Sequence, residues 1–133
     1  MTVALLIITH DSIGPSLLNT ASENMHGCPM QVKTLCTSRD CDPDSLHAEA
    51  VALARDLDSG DGVLVLTDLY GSTPSNIAAR LLGDIANIRV VTGVNLPMLM
   101  RILNYPTLRL DEIVHKAVSG GKDGIFLANR DIP

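Results

Sequence analysis

Tryptophan is absent from the sequence, and 133 residues include only one phenylalanine (Phe126) and two tyrosines (Tyr70 and Tyr105). Any core must therefore be aliphatic, and the stacking platforms that single-stranded nucleic acids use are missing. Basic residues are few: 10 Lys and Arg stand against 15 Asp and Glu, for a formal net charge of −5. Phosphate backbones require clustered cations, so no nucleic-acid partner is expected. An acidic surface suits a basic protein partner instead. No apolar run approaches the roughly 20 residues of a bilayer span. The N-terminus also lacks the basic residues and small-residue cleavage pattern of a signal peptide. The expected location is the cytoplasm, with no membrane insertion. Three cysteines (Cys28, Cys36 and Cys41) are too sparse, and odd in number, for a disulfide framework. With His26 and His47 they match no short paired-ligand spacing, so no metal is expected. His115, between apolar positions near the C-terminus, reads as a partly exposed helix residue. There is no Gly-x-Gly-x-x-Gly after the first strand and no P-loop, so nucleotide cofactors lack their phosphate cradles and no cofactor is expected.

What the chain does have is aliphatic bulk, with 46% hydrophobic residues, and a regular alternation of strand-like and helix-like segments. Its length fits one domain over residues 1–133. Strands are predicted at about 3–9, 30–36, 62–67 and 88–92, with a late fifth at about 124–128. The first helix is predicted over about 14–25. Asp42-Pro43-Asp44 opens the second, with Asp42 as cap and Pro43 at the first position. Leu46, Ala50, Leu53, Ala54 and Leu57 then recur at spacings of three and four along one face. A third helix follows Pro74 and ends near Gly83, burying Ile77, Ala78, Leu81 and Leu82. A short helix lies between Pro97 and Pro106. The last helix covers about 110–119, with Leu110, Ile113, Val114 and Ala117 inward and Gly120-Gly121 as its stop. This pattern predicts a doubly wound α/β fold with a mainly parallel sheet, for which the order 2-1-3-4, with the second and third strands on opposite sides of the first, is assumed.

That order gives the ends of the first and third strands special weight. Ligands of open α/β sheets bind where the chain reverses its direction of travel across the sheet. The first strand ends at His10 and the third at Asp68. Adjacent strands lie roughly 5 Å apart, so an imidazole and a carboxylate are expected to meet. Asp68 would hold one ring nitrogen, fix the tautomer and aim the other lone pair outward. In the loop that follows, Gly71 permits a tight turn, Ser72 or Thr73 can cap a helix, and Pro74 suits the first turn. Free N–H groups at that helix start are suited to phosphate oxygens. Each feature has a bland reading alone: a polar loop histidine, an aspartate bonded to loop amides, a plain helix cap. Their coincidence at strand ends points to a phosphoryl group held on nitrogen, with His10 and Asp68 as catalytic residues and the free N–H groups around Ser72 and Thr73 binding phosphate.

Three segments carry a resemblance: Ile8-Thr9-His10-Asp11, Thr67-Asp68-Leu69-Tyr70-Gly71-Ser72-Thr73-Pro74-Ser75-Asn76, and Thr92-Gly93-Val94-Asn95-Leu96-Pro97-Met98-Leu99. In order and spacing the chain resembles the IIA component of the mannose family of the bacterial phosphoenolpyruvate:sugar phosphotransferase system, over nearly its whole length. The resemblance implies a phosphocarrier. His10 would take a phosphoryl group from the phosphohistidine of HPr at Nε2, the nitrogen facing away from Asp68. It would pass the group to a IIB partner or serve as a regulatory sensor of phosphorylation. Phosphate contacts from Gly71 and Ser72, a Gly93–Leu99 rim and a homodimer are also implied. In such a dimer the strand near 124–128 would pair as an antiparallel edge strand exchanged across the interface. Two departures stand out. No hinge and IIB domain follow, so a separate acceptor protein is expected. Asp11 occupies a position where some members have glycine, and either lowers phosphoryl affinity or caps the first helix. Two other classes are a phosphoryl-donor subunit of a dihydroxyacetone kinase and a receiver-like binding module. The 70–76 loop is closer to the sugar-system form, and no lysine follows the fourth strand where a receiver needs one.

Overall fold

The computed structural model describes residues 2–129. Four strands, β1 (Ala4–His10), β2 (Val32–Thr37), β3 (Val63–Thr67) and β4 (Ile88–Thr92), form one parallel sheet in the order β2-β1-β3-β4. Among the described residues there are also five helices: α1 (Ile13–Asn24), α2 (Pro43–Leu57), α3 (Thr73–Asp84), α4 (Leu96–Leu103) and α5 (Leu110–Asp123).

The uninterrupted apolar runs of β1 and β3 are explained by burial on both faces of the sheet. Leu5 and Ile7 of β1, with Leu64 and Leu66 of β3, pack beneath α1, α4 and α5 against Ala21, Leu99, Ile102 and Ile113. Leu6 and Ile8, with Val63 and Val65, pack on the opposite side against Ala50, Ala54, Ile77 and Leu81 of α2 and α3. Leu5 through Ile8 are completely buried. Each such side chain contributes about 1.5–3 kcal/mol through removal from water, so this strand is the axis of the core. The helix starts follow local chemistry. The Asp42 carboxylate accepts the Asp44 N–H at 3.3 Å, with Pro43 at the first position of α2. Asn95 caps α4 by accepting the Met98 N–H at 2.9 Å.

Three expectations need correction. Leu82 is 54% exposed, because it lies at the margin of the buried stripe in the last turn of α3. The last helix does not stop at Gly120-Gly121 but runs to Asp123. Here the glycines are contact points: a Cβ on Gly120 would lie 2.6 Å from the Arg101 Cβ, and one on Gly121 3.0 Å from the Met98 Cε. Their absent side chains let α5 lie close against α4. Finally, residues 125–129 form no strand, and the antiparallel edge strand expected there is absent from the described sheet. A strand needs a hydrogen-bonded strand beside it, and the described sheet, whose strands are β2, β1, β3 and β4, does not include this segment. Ile125, Phe126 and Leu127 are left 76%, 66% and 89% exposed.

The helical glycines give a paired test in urea unfolding. Gly120→Ala is expected to destabilise by about 1–3 kcal/mol, since overpacking against the Arg101 Cβ outweighs alanine's better helix propensity. Gly83→Ala, where nothing lies within 4 Å of the added Cβ, is expected to stabilise by about 0.5–1 kcal/mol.

Candidate functional site

At the C-terminal edge of the sheet, β1 ends in His10 and β3 is followed by Asp68. The parallel pairing of β1 with β3 brings the two residues into contact. Asp68 Oδ2 accepts the His10 backbone N–H at 3.0 Å and lies 2.8 Å from the ring Nδ1. For a neutral imidazole this puts the proton on Nδ1 and leaves the lone pair on Nε2. The histidine side chain is 42% exposed and the aspartate 11%, so the acid is screened from water while the ring reaches it. Burial pushes the Asp68 carboxyl up, but hydrogen bonds from the His10 ring, the His10 N–H and its own N–H outweigh that. The group therefore titrates below its ordinary value of 3.8.

The turn after β1 is held by residues that sequence reasoning passed over. Thr9 is fully buried, and its Oγ1 accepts the Gly14 N–H at 2.7 Å. It thus serves as the cap that Ser12, at the N-cap position of α1, does not provide. Gly14 allows this closeness, since a Cβ there would sit 2.9 Å from Thr9 Oγ1. On the other side Thr37, paired in register with His10, accepts the Asp11 N–H on its carbonyl at 2.8 Å. Its hydroxyl donates to the Thr9 carbonyl at 3.3 Å. The available signal was a threonine ending each buried run, polar atoms that must find partners.

After β3 the loop turns at Gly71, whose φ of +83° lies in the left-handed region that glycine adopts without strain. The expected capping by Ser72 or Thr73 does not occur. Ser72 stands at the N-cap of α3 with no side-chain cap bond, and its hydroxyl donates backward to the Leu69 carbonyl at 2.5 Å. The first N–H groups of a helix have no intrahelical acceptor. In α3 Pro74 removes one, which leaves those of Thr73 and Ser75 uncapped. No acidic residue lies in that first turn, so the positive end of the helix dipole is uncompensated. Gly71, Ser72 and Thr73 share this end of the sheet with His10 without a hydrogen bond to its ring. The rim beyond is tied to the same strand: the Gly93 and Val94 N–H groups both donate to the Thr67 carbonyl at 2.9 Å.

The other polar candidates lie elsewhere. His47 pairs with Asp84 at 2.6 Å, joining α2 to α3. The three cysteines are unpaired. Among the described residues no three His, Cys, Asp or Glu side chains cluster as metal ligands, and no helix is long and apolar enough to cross a membrane. The site's chemistry is thus an oriented imidazole beside a helix N-terminus.

Comparison with known proteins places the chain in a family. The family model described as the PTS system fructose IIA component matches residues 4–118. The mannose-specific EIIAB component of the PTS system of Escherichia coli (strain K12) is 34% identical over 129 residues, covering 94% of this chain and 39% of the relative. The chain thus spans about two fifths of that protein's length. The mannose/sorbose specific IIA subunit of the phosphotransferase system from Enterococcus faecalis has the same fold, with a TM-score of 0.83 at 24% identity over 100% of this chain and 98% of that one. The PTS IIA protein associated with the fucose utilization operon of Streptococcus pneumoniae gives a TM-score of 0.78 at 28% identity over 96% and 93%. By sequence, the chain belongs to the mannose-family IIA components of the sugar phosphotransferase system.

Proposed function

We propose that the chain, over residues 1–133, is a single phosphocarrier domain that takes a phosphoryl group on His10 Nε2 from phospho-HPr and passes it to a IIB component. The reading rests on the 2.8 Å contact between Nδ1 and Asp68, which leaves the other ring nitrogen as the nucleophile. The Nε2 lone pair attacks phosphorus and forms a P–N bond as the P–N bond to the HPr histidine breaks. The departing imidazole keeps that electron pair. The His10 proton stays on Nδ1, where ionised Asp68 stabilises the positive charge growing on the ring. Gly71, Ser72 and Thr73, with the uncapped amides of α3, are assigned to the phosphoryl oxygens. Phosphoryl transfer needs mainly positioning and charge stabilisation, and no metal or cofactor is invoked. We place this activity in the cytoplasm. A receiver-like role is disfavoured because Asp68 is engaged by His10 twice.

The proposed assembly is a homodimer. Its support is the exposed Ile125-Phe126-Leu127 segment beside a sheet that ends at β4, an apolar stretch and a strand edge that a second copy can cover.

With phosphoenolpyruvate, enzyme I and HPr, the wild type is expected to acquire an acid-labile, base-stable phosphate at residue 10. His10→Ala is expected to acquire none and to keep its far-UV circular dichroism. Asp68→Asn is expected to slow transfer by roughly ten- to a thousandfold, and a normal rate would remove Asp68 from the mechanism.

The acid pH dependence follows from the lowered Asp68 pKa. A carboxylate that titrates lower in the folded state adds stability above its unfolded pKa, and that increment is lost as pH falls through the folded value. The stability difference between wild type and Asp68→Asn is therefore expected to shrink from about pH 5 toward about pH 2. A difference that grows with acid would reverse the assignment. Sedimentation of Phe126→Asp is expected to report monomers where the wild type reports dimers.

A further inference from the structure

Asp11 is the first residue after His10 and has a φ of +41°. Non-glycine residues in this left-handed region are uncommon, although aspartate and asparagine enter it most readily. The conformation is fixed from outside, because the Asp11 N–H is held by the Thr37 carbonyl at 2.8 Å. Glycine would meet the backbone requirement at no steric cost, so the carboxylate itself needs an explanation. Helix capping does not supply one. Thr9 Oγ1 takes the Gly14 N–H, and α1 has no acidic residue in its first turn and no side-chain cap bond at Ser12. The Asp11 side chain is exposed. It makes no hydrogen bond or ion pair among the described residues, not even with Arg39 in the loop after β2.

Consecutive Cα atoms are about 3.8 Å apart, so this unpaired carboxylate and a group on the His10 ring are separated by a distance on the order of the Debye length, roughly 8–10 Å at moderate salt. A phosphoryl group brings roughly −1.5 to −2 charge there. Asp68 already supplies one negative charge on the inner side of the ring. We propose that Asp11 acts through His10 as a tuning residue: its charge repels the bound phosphoryl group and raises the transfer potential of phospho-His10, so that the group is handed on rather than retained. Asp11 makes no bond to phosphorus and holds no proton in the transfer. It acts on the energy of the loaded state. The inference rests on the phosphocarrier reading of the site.

The test is the equilibrium distribution of phosphoryl groups between HPr and this chain, which depends only on the free species and not on how they dock. Full-length wild type, Asp11→Asn and Asp11→Gly are each equilibrated with phospho-HPr at about 20 mM and about 500 mM salt, settings chosen to span the screening range. Asparagine keeps the tolerance for the left-handed backbone and removes the charge. Both variants are expected to shift the ratio toward the phosphorylated chain by about three- to tenfold at low salt, and the shift is expected to collapse at high salt. A ratio within twofold of wild type at low salt overturns the proposal. So does a shift that salt leaves unchanged, which would make the effect structural, or a shift seen with glycine but not asparagine. If the wild type takes no phosphoryl group from HPr, the phosphocarrier reading itself fails and this inference falls with it. That outcome is distinct from a wild type that loads normally alongside unshifted variants.

Discussion

Asp68 Oδ2 accepts two hydrogens from one residue, the backbone N–H of His10 at 3.0 Å and its ring at 2.8 Å. The double contact ties the end of β1 to the exit of β3 and sets the ring's rotation and tautomer together. It exists because β1 lies between β2 and β3, so that a crevice opens where these strands end. The buried Leu5–Ile8 run keeps β1 in that central place. The rest of the site is arranged around an orientation already fixed: α3 presents its uncapped amides, and Thr9 secures the approach to α1.

The electrostatic character of the site comes from what is withheld as much as from what is supplied. The first turns of α1 and α3 contain no acidic side chain, and neither His10 nor Asp68 pairs with a lysine or arginine. The partial positive charges offered at this edge are those of the uncapped backbone amides at the start of α3. Such dipoles are weaker than a full charge, and they need no rearrangement when an anion arrives or leaves. That balance suits a group held briefly.

The parallel strands and the polar residues that end them were legible in the sequence, whereas the order β2-β1-β3-β4, on which the His10–Asp68 contact depends, was an assumption that the structure bears out. Doubly buried strands read as unbroken aliphatic runs, and polar residues directly after them mark the ligand-binding edge. The proline-led helix starts at Pro43, Pro74 and Pro97 were legible for the same local reason. Other features depend on partners distant in sequence. Gly120-Gly121 looks like a helix stop, and only the approach of Arg101 and Met98 shows it to be a packing surface. Ser72 looks like a cap, yet its hydroxyl turns to Leu69, while the capping atom at α1 comes from Thr9, ahead of the turn. The 124–128 segment has strand composition, but composition does not supply the neighbour that makes a strand.

The Thr67 carbonyl receives the amides of both Gly93 and Val94. With both lone pairs engaged, the peptide plane leading into Asp68 has lost its freedom to rotate. The aim of the His10 ring is thus anchored through the turn that follows β4. Drift in the β4–α4 loop would be transmitted along that plane to the imidazole, so the loop is held to a tolerance set by a neighbour two strands away.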